Sequence, residues 1–421
     1  MSKVHFITQG CSANQADSEI MQGILKSEGH ELTESEQDAE LIVFNTCTVK
    51  GPTEAFFKKK LSELEKKNKK VIIAGCIPQA SKNMDALKKH SLIGTYQVDK
   101  IAEVVNETNA GKRIGRIERE NHSRLNLPKI RKNPYIEIVP ILQGCLSSCT
   151  FCKTKHARGN AFSYSEEEIV RHISHAVREG AQEIWLTSQD NSVYGLEFGS
   201  NLAKLLKKIC AIPRAFKIRV GMGNPKYMLP ILDELIQVYK HEKIYKFLHV
   251  PLQSGSDRVL KDMNRDYTVE DFKIIVNRFR KEIPEMNIAT DLICGFPTET
   301  QQDFEQTMDI VKTMKPDIIN ISRFWLRPGT PAAKFKQLPG RISKQRTRIL
   351  TEVFEQIAEE NNKRWIGWQG PVRIVGKGKP GSILGRNYAY KQIVLPEHTA
   401  LPGEEINVHI TSVTCYDLRV V

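Results

Sequence analysis

Tyr135-Ile-Glu-Ile-Val-Pro-Ile-Leu-Gln-Gly-Cys145-Leu-Ser-Ser-Cys149-Thr-Phe-Cys152 is the stretch on which the reading of this chain turns. An apolar strand over residues 135–142 runs straight into a C-x3-C-x2-C loop. Three thiolates this close can hold three corners of a 4Fe-4S cluster and leave one iron open. The open iron suits the amino and carboxylate groups of S-adenosylmethionine, whose reductive cleavage gives a 5′-deoxyadenosyl radical. Zinc is the competing occupant, because Cys152-x3-His156 could complete a Cys3His site. The loop's place directly after a strand favours radical chemistry. So does Phe151, which is suited to lie against an adenine.

Five more strand-like runs follow, at residues 183–187, 217–220, 247–252, 287–294 and 317–324. Helical patterns intervene, such as 165–179 with Ser165 as cap and 300–314. Six such units predict a central partial (β/α) barrel that places its chemistry at the strand carboxyl ends. Ser188, Gln189, Asp190, Arg219, Asn224, His249, Gln253, Ser254 and Asp291 all fall at or just after those ends. The expected cofactor-binding residues are Phe151, Ser188, Gln189, Asp190, Arg219 and Ser254. Arg219 is set to hold the carboxylate of S-adenosylmethionine, and Ser188 to Asp190 to meet its ribose. The plain alternative for each is a hydrogen-bonded loop residue. Gly295, Pro297, Pro328 and Gly329 read as turn-shaping residues.

Upstream, three segments share one grammar. Lys3-Val-His-Phe-Ile-Thr-Gln-Gly-Cys11, Glu40-Leu-Ile-Val-Phe-Asn-Thr-Cys47 and Lys70-Val-Ile-Ile-Ala-Gly-Cys76 each run an apolar strand into a cysteine. Helical stretches are expected after them at about 14–28, 52–68 and 78–90. The repeat predicts an N-terminal parallel α/β sheet, with ligands at the strand carboxyl ends. Cys11, Cys47 and Cys76 can therefore converge. Three buried apolar cysteines would be the bland reading, but three in equivalent places suit a second iron–sulfur cluster. Zinc would want a fourth ligand, and no histidine occupies an equivalent strand end. Cys210, Cys294 and Cys415 lack partners at ligand spacing and read as packing residues.

The 421 residues carry 62 Lys and Arg against 49 Asp and Glu, a net charge of +13 that makes a polyanion, nucleic acid first, the expected partner. Residues 111–160 hold eleven Lys and Arg against three Asp and Glu, so RNA is expected to bridge the domains, with the basic linker at 112–132 and the C-terminal barrel both engaged, rather than to sit on the barrel alone. No run reaches the roughly 18 apolar residues of a membrane span, and the apolar segment Val4 to Ile7 is too short for a signal peptide. A soluble, cytoplasmic protein with no membrane partner is expected. After a helix at about 343–364, short runs at 371–375, 382–385, 388–395, 405–411 and 415–420 predict a small C-terminal antiparallel β-barrel. The expected organisation is an N-terminal domain over 1–110, a linker over 111–132, a core over 133–364 and an RNA-binding module over 365–421.

Along essentially its whole length the chain resembles the radical S-adenosylmethionine methylthiotransferases. The matching stretches include Gly10-Cys11-Ser-Ala-Asn14, Asn45-Thr-Cys47-Thr-Val49, Ala74-Gly-Cys76, Cys149-Thr-Phe-Cys152-Lys-Thr-Lys-His-Ala-Arg-Gly159, Arg219-Val-Gly-Met-Gly-Asn-Pro225, His249-Val-Pro-Leu-Gln-Ser-Gly255, Thr290-Asp-Leu-Ile-Cys-Gly-Phe-Pro297 and Arg327-Pro-Gly-Thr-Pro-Ala-Ala333. The stretches Lys-Thr-Lys-His-Ala-Arg-Gly and Arg-Pro-Gly-Thr resemble the archaeal and eukaryotic branch, whereas Ser188-Gln-Asp-Asn-Ser-Val-Tyr194 departs from its pattern. The resemblance implies methylthiolation of C2 of N6-threonylcarbamoyladenosine in a tRNA anticodon loop, and a C-terminal TRAM domain. It implies two 4Fe-4S clusters. Cys145, Cys149 and Cys152 generate the radical, and Cys11, Cys47 and Cys76 carry a sulfur methylated by one S-adenosylmethionine before a second is cleaved. An external electron donor and a sulfur source are implied partners. An adenine C2–H is not acidic, so a radical rather than a general base is what the reaction demands. Two alternatives stay open: a methylthiotransferase acting on a ribosomal-protein aspartate, and an iron–sulfur RNA-binding or redox protein without radical turnover.

Overall fold

Strands Lys3–Thr8 (β1), Glu31–Leu32 (β2), Leu41–Thr46 (β3), Lys70–Gly75 (β4), Ser91–Gly94 (β5) and Gly115–Arg116 (β6) form one all-parallel sheet in the order β2-β1-β3-β4-β5-β6. The computed structural model describes residues 1–48, 51–81 and 84–420. Every residue of β3 is buried, as expected where helices cover both faces of a parallel sheet. Helices Ser12–Ser27 and Ile101–Asn109 cover one face, and helix Gly51–Lys66 covers the other. The first helix starts earlier than its expected 14, with Cys11 itself as extended N-cap. The helix expected over 78–90 is not continuous. Residues Cys76–Ala80 are helical, residues 82 and 83 lie outside the described part, and a single turn follows at Asp85–Leu87. Few apolar residues in that stretch anchor a longer helix, while Ser and Asp side chains favour turns over helix interior.

The six middle strands form in the predicted places. Ile136–Pro140 (β7), Glu183–Thr187 (β10) and Lys217–Val220 (β11) make one parallel sheet, and Phe247–His249 (β12), Asn287–Cys294 (β13) and Ile318–Arg323 (β14) another. Between β7 and β10 a short hairpin of Leu142–Gln143 (β8) and Phe162–Ser163 (β9) brackets the cysteine loop. A parallel bridge, Ile218 to Ile244, joins the two sheets. Among the described residues no pairing closes β14 back onto β7, so the barrel is partial. Ile184, Leu186, Ile218 and Val220 pack outward in the helix-covered core. By strand alternation Trp185, Arg219, Phe247, His249 and Asp291 face the lumen.

Residues 365–420 form a curled sheet rather than a purely antiparallel one. Its strands are Gln369–Lys377 (β15), Ser382–Arg386 (β16), Gln392–Pro396 (β17), Glu405–His409 (β18), Ser412–Val413 (β19) and Leu418–Arg419 (β20), and β17 and β20 pair in parallel. Two expected strands are shorter than predicted. Asn387 Oδ1 accepts the backbone N–H of Ala389 and of Lys391, turning residues 387–391 out of the sheet. A turn at Thr414–Asp417 shortens the last strand. The Asn387 turn plugs the amino-terminal end of the partial barrel. Tyr390 lies 4.9 Å from the Tyr245 ring and 5.1 Å from that of Phe247. Lys391 Nζ donates to Asp317 and to Asn362.

Part of the basic linker acts as a clamp. Lys112 pairs with Glu107, Arg116 with Glu103, Lys129 with Glu19 and Glu137, and Arg131 with Glu137 and Glu179. The clamp takes up six of the eleven basic residues at 111–160, Arg124 and Arg158 included, whereas Arg113, Arg119, Lys132, Lys153 and Lys155 make no ion pair among the described residues. Its deepest part is Asp17, whose two oxygens accept Arg124 Nη1 and Arg158 Nη2, both at 2.6 Å, with all three side chains at most 3% exposed. Arg158 comes from the segment after Cys152, so this triad fastens the N-terminal sheet to the barrel. Removing one member of such a group leaves buried charge uncompensated, at a cost of about 3–5 kcal/mol. Asp17→Asn should lower the first calorimetric unfolding transition accordingly; an unchanged trace would show that the triad contributes no net stability.

Candidate active site

Cys11, Cys47 and Cys76 each follow a strand of the N-terminal sheet, at the carboxyl ends of β1, β3 and β4. Cys11 is exposed, and Cys47 and Cys76 are buried. A web of amides ties the three ends together. Asn14 Nδ2 donates to the carbonyls of Gln9 and Thr46 at 2.9 and 2.8 Å, while its Oδ1 lies 2.8 Å from Arg158 Nη2 and 3.5 Å from Cys76 Sγ. Asn45 donates to Asn14 O and Ser18 Oγ. Gly10 adopts φ +103°, and a β-carbon there would stand 2.8 Å from Cys47 Cβ and 3.1 Å from its sulfur. Only glycine lets the Cys11 strand end approach Cys47 this closely. Burial pushes the Cys76 thiol up to about 12 against the pull of Arg158, with Cys47 and Cys11 close enough to add to the rise.

The second loop is equally braced. Gln189 Oε1 accepts Gly144 N–H at 2.7 Å, Asn224 Nδ2 donates to Ser147 Oγ at 3.1 Å, and Thr150 Oγ1 donates to Asp262 O. Arg265 Nη1 lies 3.2 Å from Cys149 Sγ. Burial and then the neighbouring Asp190 push the Cys145 thiol up to about 11. Burial also raises Cys149, against Arg265. Asp190 is fully buried and its Oδ1 is engaged by Ser192 and Asn224, while its Oδ2 has no hydrogen-bond partner. Arg265 Nη2 is likewise buried and unpartnered.

Each set is three neighbouring thiols, although among the described residues no group of His, Cys, Asp or Glu is drawn together as an ion site. The donor sets fit 4Fe-4S clusters with one protein-free corner. Binding displaces the thiol protons, and Arg158 and Arg265 stand beside the thiolates that result. The orphaned Asp190 oxygen and Arg265 nitrogen leave one acceptor and one donor of opposite charge beside the Cys145–Cys152 loop. The zinc reading lacks its fourth ligand, because His156 faces Gly329 beside Lys153 and Arg119.

Several expected contacts are relocated. Arg219 points down the lumen, its guanidinium 5.4 Å from the Phe247 ring and 6.0 Å from those of Trp185 and Tyr390. Tyr390 enters from the opposite end, so the half-buried Arg219 guanidinium sits among three aromatic rings. Ser254 caps a turn, accepting Ser256 N–H, and is buried away from the loop. Ser188 Oγ accepts Asp190 N–H and shapes that turn. His249 Nε2 lies 3.0 Å from Asp291 Oδ2, and Asn320 Nδ2 donates to Asp291 Oδ1 at 2.8 Å. Phe151, Gln253, Asp291, Asn320, Pro52 and Arg327 line a cavity of about 500 Å³. Phe151 belongs to the Cys145–Cys152 loop, and Arg327 is bonded to Glu54 with Cys47 in its neighbourhood, while Cys11 lines a separate cavity with Thr8, Gln9 and Gln15. Arg158 and Arg265 are the functional residues that sequence reasoning misses. Arg158 is one basic residue among several in Lys-Thr-Lys-His-Ala-Arg-Gly, and nothing in the spacing of Arg265 ties it to Cys149.

A loop of three cysteines after the first strand of a partial parallel barrel defines a radical S-adenosylmethionine protein. Residues 139–311 match the Radical SAM superfamily and residues 3–94 the Uncharacterized protein family UPF0004. The chain is 42% identical to the threonylcarbamoyladenosine tRNA methylthiotransferase of Homo sapiens, over 97% of this chain and 72% of that one. It is 42% identical to the protein of the same name from Drosophila melanogaster, over 99% and 77%. It therefore belongs to the threonylcarbamoyladenosine tRNA methylthiotransferase family. In fold it is similar to the radical S-adenosylmethionine methyltransferase TsrM of Kitasatospora setae with cobalamin and a 4Fe-4S cluster bound, with a TM-score of 0.57 and 14% identity over 91% of this chain and 81% of that one.

Gly10→Ala should cost the auxiliary cluster and spare the radical one, because the added methyl meets Cys47. Anaerobic reconstitution should give about four irons per chain in place of about eight. An unchanged iron content would show that the strand end can yield.

Proposed function

We propose that this protein transfers a methylthio group to C2 of N6-threonylcarbamoyladenosine beside the anticodon of tRNA, in the cytoplasm and with externally supplied electrons and sulfur. The observation that supports the reading is the Arg158–Asp17–Arg124 triad, which ties the helix that follows Cys11 to the segment that follows Cys152 and so brings the two three-cysteine sets into one neighbourhood. A reaction that activates a carbon and delivers sulfur to it needs two such centres facing one substrate. We assign residues 1–110 to the sulfur-carrying domain, 133–364 to the radical core and 365–421 to a TRAM-like RNA-binding module. The relatives' common name and the radical SAM match supply the reaction class.

When bound, the two clusters and S-adenosylmethionine supply the 5′-deoxyadenosyl radical and the methylated sulfur. Cys145, Cys149 and Cys152 hold one cluster, and Cys11, Cys47 and Cys76 the other. Asp190 and Arg265 orient the amino-acid end of S-adenosylmethionine, and Phe151 lies against its adenine. Gln189 and Asn224 fix the loop that carries Cys145. An anticodon-loop adenosine is single-stranded already, so turning it into the cavity avoids the few kcal/mol of opening a duplex. Among the described residues no helix is long and apolar enough to cross a membrane.

Replacing Cys145, Cys149 and Cys152 by Ala should abolish 5′-deoxyadenosine formation. Replacing Cys11, Cys47 and Cys76 should preserve it while the methylthio nucleoside disappears from tRNA digests by mass spectrometry. Methylthiolation retained in the second variant would overturn the sulfur-carrier assignment.

Deleting residues 366–421 is a poor test of RNA binding, since it strips Tyr390 and Lys391 from the barrel end. Lys377 and Lys379 are exposed and make no side-chain ion pair among the described residues. Changing both to Gln should lower the slope of log affinity for tRNA against log salt by about 1 for each phosphate that is no longer neutralised. An unchanged slope would place the RNA elsewhere.

A further inference from the structure

Strand β14 is the last strand of the partial barrel, and its carboxyl end lines the cavity that Phe151 of the Cys145–Cys152 loop also lines. Arg323 stands at that end and differs from the other arginines around it. Arg158 is paired with Asp17, and Arg327 and Arg265 are each held through Nη1, by Glu54 and by Cys149, with their buried Nη2 unpartnered. Arg323 makes no hydrogen bond or ion pair among the described residues. Its guanidinium carbon instead lies 4.3 Å from the centre of the Trp325 ring. Stacking fixes the plane of the guanidinium and leaves its N–H edge free. A free, pre-oriented fork of this kind matches an anion with two coplanar oxygens.

We propose that Arg323 binds the carboxylate of the amino-acid arm on N6 of the target adenosine, and so selects a base with an anionic arm over one with a neutral arm. This rests on the reaction proposed above. The arm's carboxylate is the one charge on the modified base. C2 must face the two cysteine loops, and N6 is carried by a carbon only one ring nitrogen away from C2, so the arm leaves along the cavity wall rather than toward Cys47 or Cys149. Asp291, the acidic residue of that wall, is engaged by His249 and Asn320 on its two oxygens and repels a second carboxylate. Arg327, the other arginine of that wall, has its charge met by Glu54 and its unpartnered Nη2 buried, whereas Arg323 offers its whole N–H edge and is the favourable seat for the carboxylate. The carboxylate of S-adenosylmethionine has its own partner in Arg265, on the Cys149 side.

The test uses the full chain with both clusters reconstituted. Its substrates are synthetic anticodon stem-loops bearing the threonylcarbamoyl group as the free acid or as its methyl ester. The wild-type protein should prefer the acid in kcat/KM by about 10- to 100-fold, the range of a charge-assisted hydrogen bond. Arg323→Gln should bring that ratio close to one, and Arg323→Lys should restore part of it as a point charge without the fork. An acid-to-ester ratio unchanged in Arg323→Gln, including one where both rates fall together as removal of a phosphate or S-adenosylmethionine partner would give, overturns the proposal. So does a wild-type protein indifferent to the ester. A wild-type protein that methylthiolates neither stem-loop would overturn the reaction itself rather than the role of Arg323.

Discussion

Everything that makes this molecule a two-centre catalyst depends on one buried carboxylate. Asp17 lies on the first helix of the N-terminal sheet, yet its partners Arg124 and Arg158 come from the linker and from the loop beyond Cys152. Three charges with almost no access to water are tolerable only when paired with good geometry and further hydrogen bonds. Those bonds are present. Arg124 also reaches Thr95 O and the Tyr164 hydroxyl, and Arg158 reaches Asn14. Because an ill-placed partner would strand a charge, the triad fixes the position of one cysteine loop relative to the other.

The same economy of side chains recurs around each loop. Asn14 both stitches strand ends and hands Arg158 to the neighbourhood of Cys76, so domain docking and the ligand environment share one residue. Around the other loop, Arg265 brings a guanidinium to Cys149 and Asp190 a buried carboxyl to the neighbourhood of Cys145. Charged groups of both signs at one loop are what a zwitterionic amino-acid moiety requires. Further along the cavity, Arg323 on its tryptophan is a cation left uncommitted by the fold.

The basic linker serves in part to pin the domains together. In composition the basic stretch from Lys112 onward looks like a polyanion track, yet Lys129 and Arg131 turn inward to Glu19 and Glu137, and Lys112 and Arg116 make surface pairs with Glu107 and Glu103. Glu19, Glu103 and Glu107 lie outside the 111–160 window in which the charge is summed. The C-terminal sheet is likewise not a freely attached module. Tyr390 and Lys391 complete the amino-terminal end of the barrel, opposite the cysteine loops, so RNA reaching both must span the length of the core.

The sequence by itself determined the local grammar. Apolar runs of strand length fixed the parallel sheet and all six barrel strands, and a cysteine at each strand end announced two metal-binding loops. These features are short-range, since a strand's burial and a loop's ligand spacing are written in consecutive residues. Tertiary structure alone decided which polar residues serve those loops. Arg219 was at the right strand end, but its side chain runs down an aromatic-lined lumen to Tyr390, a residue more than 170 positions away. Arg265 has no motif of its own and becomes functional because Met263 O receives Thr150 N–H and draws its turn against Cys149. The physical reason is that a charged side chain takes its role from what is buried beside it, and burial is a property of the packed chain.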